Sequence, residues 1–124
     1  MKKRILLIDD DALVLKTLEK LFARADYETR SAKDGNEAET TLRAEPFDLI
    51  ICDVRMPGKD GISVMKGLKE ICQKELKKDI PCIFITGYAS EETPIDAIKL
   101  GARDYILKPF DLDELLSSVK RNIG

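Results

Sequence analysis

Hydrophobic and polar residues along this chain alternate between two periods. Short runs of consecutive apolar residues are separated by stretches in which apolar residues recur every three or four positions. Runs without alternation suit strands covered on both faces. The three-to-four spacing marks amphipathic helices. Arg4 to Ile8 is the first run, and Val14, Leu15, Leu18, Leu21, Phe22 and Ala25 follow on one helical face, with Asp11 placed to cap that helix or to sit in its first turn. Tyr27 to Ala32 is a more polar strand that belongs at an edge, and Asp34-Gly35 turns the chain into a sparsely apolar helix (Ala38, Thr41, Leu42) that ends before Pro46. Phe47 to Cys52 is the third strand. It stops at Asp53, and Pro57-Gly58 turns the chain soon afterwards. A third helix carries Ile62, Met65, Leu68 and Cys72 and leaves through Lys74, Lys77 and Lys78. Cys82 to Ile85 is a strand ending at Thr86-Gly87, and a helix with Ile95, Ala97, Ile98 and Leu100 stops at Gly101. Asp104 to Leu107 is a short strand that meets Lys108-Pro109, and Asp111 caps a last helix with Leu112, Leu115, Leu116 and Val119.

Five repeats of strand then helix predict an α/β fold, a doubly wound (βα)5 unit with a parallel sheet and helices on both faces. Residues 1–124 read as a single domain with no linker. Composition narrows the function. Twenty-one basic and 23 acidic residues leave a net charge of −2 and no basic field for direct nucleic acid binding. No apolar run is long enough to span a membrane. Met1-Lys2-Lys3-Arg4 is followed by only four apolar residues, too few for an export signal, so a cytoplasmic location is the expectation. Cys52, Cys72 and Cys82 lie in or beside apolar runs without metal-ligand spacing and read as small buried hydrophobes. Histidine is absent. Histidine-paired nucleophiles and histidine-ligated metals are thereby excluded, and any metal must be a hard cation held by oxygen.

In open parallel sheets, ligands bind outside the carboxyl ends of the strands. Those ends carry Asp9, Asp10 and Asp11, then Asp53, Thr86 and Lys108. In the strand order 2-1-3-4-5 the first and third strands are neighbours, so Asp9, Asp10 and Asp53 converge, with Asp53 at the rim facing solvent. Clustered carboxylates raise one another's pKa unless a cation lies among them. Magnesium suits such a site because it takes one or two carboxylates and accepts phosphate oxygens. Lys108 adds an ammonium and Thr86 a hydroxyl, and the whole set suits a phosphoryl group in transfer.

With these residues assembled, the chain resembles the receiver domains of two-component response regulators, the CheY-like family. The resemblance rests on Ile8-Asp9-Asp10-Asp11, on Asp53-Val54-Arg55-Met56-Pro57-Gly58 with Asp60-Gly61, on Ile85-Thr86-Gly87, on Leu100 to Tyr105, and on Lys108-Pro109-Phe110. It implies that Asp53 accepts a phosphoryl group from a phosphohistidine on a sensor histidine kinase or phosphotransfer protein. It implies that magnesium or manganese is held by Asp10, by Asp9 largely through water, by Asp53 and by the main-chain carbonyl of Arg55. Lys108 would pair with Asp53 and then with the phosphoryl oxygens, behind a cis bond to Pro109. Thr86 would move to the phosphoryl group and Tyr105 would turn inward behind it. The fourth helix, fifth strand and fifth helix, roughly residues 93–122, would carry the signal to an output domain or downstream protein and would form any phosphorylation-dependent homodimer. The phrases Asp-Val-Arg-Met-Pro-Gly and Ile-Thr-Gly-Tyr look most like receivers attached to AAA+ transcription activators.

Two features vary within that pattern. Pro94 falls in the fourth helix and predicts a late start behind Thr93 as cap, with Asp96 completing a weak capping box. Arg55 and Tyr88 are bulky residues expected to flank the acyl phosphate and restrict water. Other functions fit less well. A phosphatase of the haloacid dehalogenase type needs a second Asp two residues after the nucleophile, where this chain has Arg55, and usually a cap domain for which there is no length. A flavodoxin-like cofactor binder needs a neutral phosphate loop after the first strand, where Asp9-Asp10-Asp11 would repel the phosphate. A receiver that only docks would not need the complete set of acids, threonine and lysine.

Overall fold

A computed structural model describes residues 2–54, 60–87 and 97–124. Five strands form one sheet: β1 (Arg4–Ile8), β2 (Glu28–Ala32), β3 (Leu49–Asp53), β4 (Cys82–Thr86) and β5 (Asp104–Leu107). Their order is β2-β1-β3-β4-β5 and every pairing is parallel, as the sequence pattern predicts. The helices are α1 (Ala12–Arg24), α2 (Gly35–Ala44), α3 (Gly61–Ile71), α4 (helical over 97–99 among the described residues) and α5 (Leu112–Ile123).

Strand periodicity divides the core in two. Leu6, Ile8, Ile50, Cys52, Cys82 and Phe84 point to one face, where Ala38 and Leu42 of α2 and Met65 and Leu68 of α3 cover them. Ile5, Leu7, Leu49, Ile51, Ile83 and Ile85 point to the other, beneath Leu18 and Phe22 of α1 and Leu115 and Val119 of α5. The central strands are therefore apolar at consecutive positions, because both parities are buried. β2 pairs only with β1, and its pattern is largely exposed, as suits an edge. All three cysteines are buried and free.

Several boundaries differ from the sequence expectation. Asp34-Gly35 does not form a separate turn: Asp34 accepts the Glu37 N–H at 2.8 Å and Gly35 is already helical. β3 begins at Leu49, two residues after Phe47, and includes Asp53. Past Ile71 the third helix widens into a π-helical turn, Cys72–Leu76, and ends on Lys77 at φ +52°. Leu112 opens α5 but is 39% exposed, since Leu115 and Val119 define the buried stripe. Gly101, expected to stop the fourth helix, has φ +78°, a conformation glycine adopts without steric cost. Pro94, Thr93 and Asp96 lie outside the described residues.

Candidate functional site

Register brings the acids together. Ile8 pairs with Cys52, so the next residues along the two strands, Asp9 and Asp53, stand side by side at the carboxyl end of the sheet. Both have the parity that points toward the α1 and α5 face. Asp53 in turn pairs with Ile85, which leaves Thr86 one residue further on. Lys108 follows the last residue of β5, and its N–H donates to the Thr86 carbonyl at 2.6 Å. The Lys108–Pro109 bond is cis.

Oxygen atoms of Asp9, Asp10 and Asp53 lie within 4.8 Å of one another. The Lys108 ammonium reaches across this group, 3.2 Å from Asp9 Oδ2 and 3.6 Å from Asp53 Oδ2. The sequence placed Lys108 beside Asp53. It bridges both acids and is nearer to Asp9. Nor does Asp53 face solvent as expected: it is 4% exposed and Asp9 is 1% exposed, because each stands against the other and against Lys108, itself 24% exposed in its side chain. Asp10 is exposed. The site is thus a nearly dry floor of two carboxylates with one acid and one ammonium at its edge.

Burial pushes the Asp9 carboxyl above its ordinary value of 3.8. The Asp11 N–H, 2.9 Å from Asp9 Oδ1, and the charge and hydrogen bond of Lys108 pull against that shift. Among the described residues three acids converge on one ammonium, two of them in a poorly solvated place. A hard divalent cation suits that group, and the donors are all oxygens, so the residues present fit magnesium or manganese. Asp11 does not join them. It caps α1 by accepting the Leu13 and Val14 N–H groups at 2.9 and 3.4 Å, the plainer of the two readings available for an acid there. The Arg55 carbonyl and Tyr88 fall outside the described residues.

Thr86 is fully buried at the end of β4, with the parity of Phe84, on the α2 and α3 face of the sheet. Tyr105 is half-buried and packs against the same face. Thr86 and Tyr105 therefore share one side of the sheet, and the acids lean to the other. Phe110 packs beside the α1 and α5 core.

Two groups that sequence reasoning missed touch the Asp53 main chain. A Cβ on Gly61 would collide with the Asp53 carbonyl oxygen, and the Cys52 thiol lies 3.3 Å from that oxygen. The Asp60-Gly61 pair was the available signal for the first. Nothing in the pattern marked the second apart from a buried residue next to the acid. No helix among the described residues is long and apolar enough to cross a membrane.

Comparisons with known proteins bear on this geometry. A family model described as the response regulator receiver domain matches residues 5–120. The transcriptional regulatory protein ZraR of Escherichia coli (strain K12) is 38% identical over 120 residues, which is 97% of this chain and 26% of that protein, so the chain spans about a quarter of this relative's length. The crystal structure of a CheY-like response regulator receiver domain protein from Methanospirillum hungatei JF-1 has a TM-score of 0.88 at 28% identity, covering 99% of this chain and 94% of that one. A response regulator protein from Burkholderia pseudomallei, crystallised with a phosphorylated aspartic acid, a calcium ion and citrate, has a TM-score of 0.83 at 30% identity, covering 98% of this chain and 69% of that one.

Proposed function

The chain belongs to the response regulator receiver domain family of two-component signalling, and on that premise we propose that it is a phosphoacceptor switch whose message is written on Asp53. One observation carries the reading: Asp9, Asp10, Asp53 and Lys108, from three strand ends and up to 99 residues apart, meet in a single group. An Asp53 carboxylate oxygen attacks the phosphorus of a phosphohistidine on a partner protein. A P–O bond forms, the P–N bond breaks, and the imidazole leaves with the electron pair. Lys108 neutralises charge on the phosphoryl oxygens as it does on the two acids. Asp9, Asp10 and Asp53, with the Arg55 carbonyl, would hold magnesium or manganese, which would supply further charge neutralisation when bound.

The same reading gives the remaining residues their work. The Thr86 hydroxyl moves to a phosphoryl oxygen, and Tyr105, on the same side of the sheet, follows into the space left behind. The change reaches the surface of α4, β5 and α5, where Ile98 and Leu107 are exposed apolar residues. An output domain or downstream protein reads that surface, or a second copy pairs through it. The chain is then a cytoplasmic signalling domain and not an enzyme with turnover on a separate substrate. The Burkholderia relative's phosphorylated aspartic acid and calcium ion support the acceptor and metal roles by likeness.

The test uses acetyl phosphate with magnesium and intact-mass analysis. An adduct of about 80 Da, stable in acid, labile in base and absent from Asp53→Asn, is the expected result. A folded wild-type chain that gains no mass would overturn the proposal.

A further inference from the structure

The Asp53 main chain is gripped from the side away from the phosphoryl chemistry. Gly61 opens α3 directly against it: a Cβ there would overlap the Asp53 carbonyl oxygen and lie 2.8 Å from the Val54 Cα and 2.9 Å from the Asp53 carbonyl carbon. Those neighbours are backbone, so no flexible side chain can yield. The Gly61 N–H donates to the Val54 carbonyl at 2.5 Å. Beneath both, the Cys52 Sγ is 3.3 Å from the Asp53 carbonyl oxygen and 3.8 Å from the Gly61 carbonyl oxygen. Cys52 is fully buried, and its thiol touches the two peptide groups that meet there. Asp60 fixes the approach by capping α3, accepting the Ser63 N–H at 2.8 Å. These contacts join 52–54 to 60–61.

We propose that Gly61, backed by the Cys52 thiol, is a positioning residue for the phosphoacceptor: it fixes the plane of the Asp53 carbonyl and thereby aims the carboxylate at Asp9 and Lys108. The inference rests on Asp53 being the acceptor. Its physical basis is leverage. A tilt of the peptide plane displaces the carboxylate at the end of its side chain, and a displacement of about 1 Å at a reacting atom can cost about a hundredfold in rate. A glycine needed only for α3 to start would affect stability alone. A glycine that aims Asp53 affects the rate per folded molecule and the magnesium concentration needed for half-maximal rate.

The experiment measures the rate of adduct formation from acetyl phosphate across a magnesium titration, normalised to the folded fraction, for the wild type, Gly61→Ala, Cys52→Ala, Cys52→Ser and Gly67→Ala. Gly67 lies in the same helix, and among the described residues a Cβ on it would meet the Glu39 carboxylate alone, at 3.6 Å, so Gly67→Ala reports what an added methyl does to α3 itself. Gly61→Ala is expected to be slower by about a hundredfold, with a raised half-maximal magnesium concentration and Gly67→Ala at the wild-type rate. Where Gly61→Ala does not fold, Cys52→Ala decides the matter: it is expected to be several-fold slower, with Cys52→Ser recovering most of the rate. Wild-type rates in a folded Gly61→Ala, or in Cys52→Ala where Gly61→Ala is unfolded, would overturn the positioning role while leaving Asp53 as acceptor. A wild type that forms no adduct at Asp53 would overturn both.

Discussion

The two rims of the sheet are both crowded with charge, and they differ in how that charge is matched. At the rim where β1 begins, the Arg4 guanidinium is hydrogen-bonded to Glu45 and lies 3.8 Å from Glu28, while its main-chain N–H donates to Asp48 at 2.8 Å. Arg30 also reaches Glu45, at 3.1 Å, and Lys2 reaches Asp26 at 3.4 Å. The Arg4 guanidinium stacks 5.5 Å above the Phe47 ring. Each of those carboxylates faces a cation or an N–H. At the opposite rim three carboxylates share one ammonium among the described residues, and two of the acids are almost without solvent. Charge density alone would not separate the two places. The pairing among the described residues does: at the first rim each carboxylate has its own cation or N–H, and at the second one ammonium serves three acids, a place suited to a cation and a phosphoryl group.

Substitutions at each rim separate the two roles. Lys108→Met keeps the aliphatic stem and removes the one ammonium that the described residues place in the acidic group. It should slow adduct formation from acetyl phosphate by about a hundredfold, the scale of losing one charge-stabilising donor. Arg4→Ala should instead lower stability in a urea titration by about 2 kcal/mol, between the values for exposed and buried pairs. Its rate of adduct formation per folded molecule should match the wild type, and a slowed rate would erase the distinction between the rims.

Asp9→Asn should work in the opposite direction on stability. Burial raises the folded-state pKa of Asp9 above its unfolded value, so this group's favourable contribution is complete below the unfolded pKa and is lost as pH rises through the folded one. At pH 7 without divalent cation the ionised acid is a cost. The amide keeps an oxygen for the Asp11 N–H and should raise stability by about 1 kcal/mol, a few degrees in Tm. Magnesium should raise the wild-type Tm and leave the variant nearly unmoved. Asp11→Ala is the smallest change: loss of the α1 cap should cost about 1 kcal/mol, with magnesium dependence of the reaction intact.

Much of the architecture was legible from periodicity. β1 and β5 fall where the sequence puts them, and consecutive apolar positions such as Ile5 to Ile8 announce a sheet covered on both faces. Asp9, Asp10, Asp53 and Lys108 were legible because strand ends in a parallel sheet converge, and the strand order 2-1-3-4-5 fixes which acids meet. What depended on depth was not legible. The near-complete burial of Asp53 and the position of Lys108 closer to Asp9 arise from packing between strands far apart in sequence. The π-helical turn at Cys72–Leu76 lies within an unbroken helical pattern, anchored where Arg43 of α2 meets Glu75 at 3.0 Å. The contact of Gly61 with Asp53 is a backbone approach that leaves no mark on hydrophobic spacing.

Chemical trapping shows whether Asp53 itself becomes the acyl phosphate. Borohydride reduces an aspartyl phosphate to homoserine and leaves free carboxylates alone. After reaction with acetyl phosphate and magnesium, the chain should carry homoserine at position 53, with every other acidic side chain unchanged. Homoserine at position 9 or 10, or none in a chain that has gained the phosphoryl mass, would contradict the account.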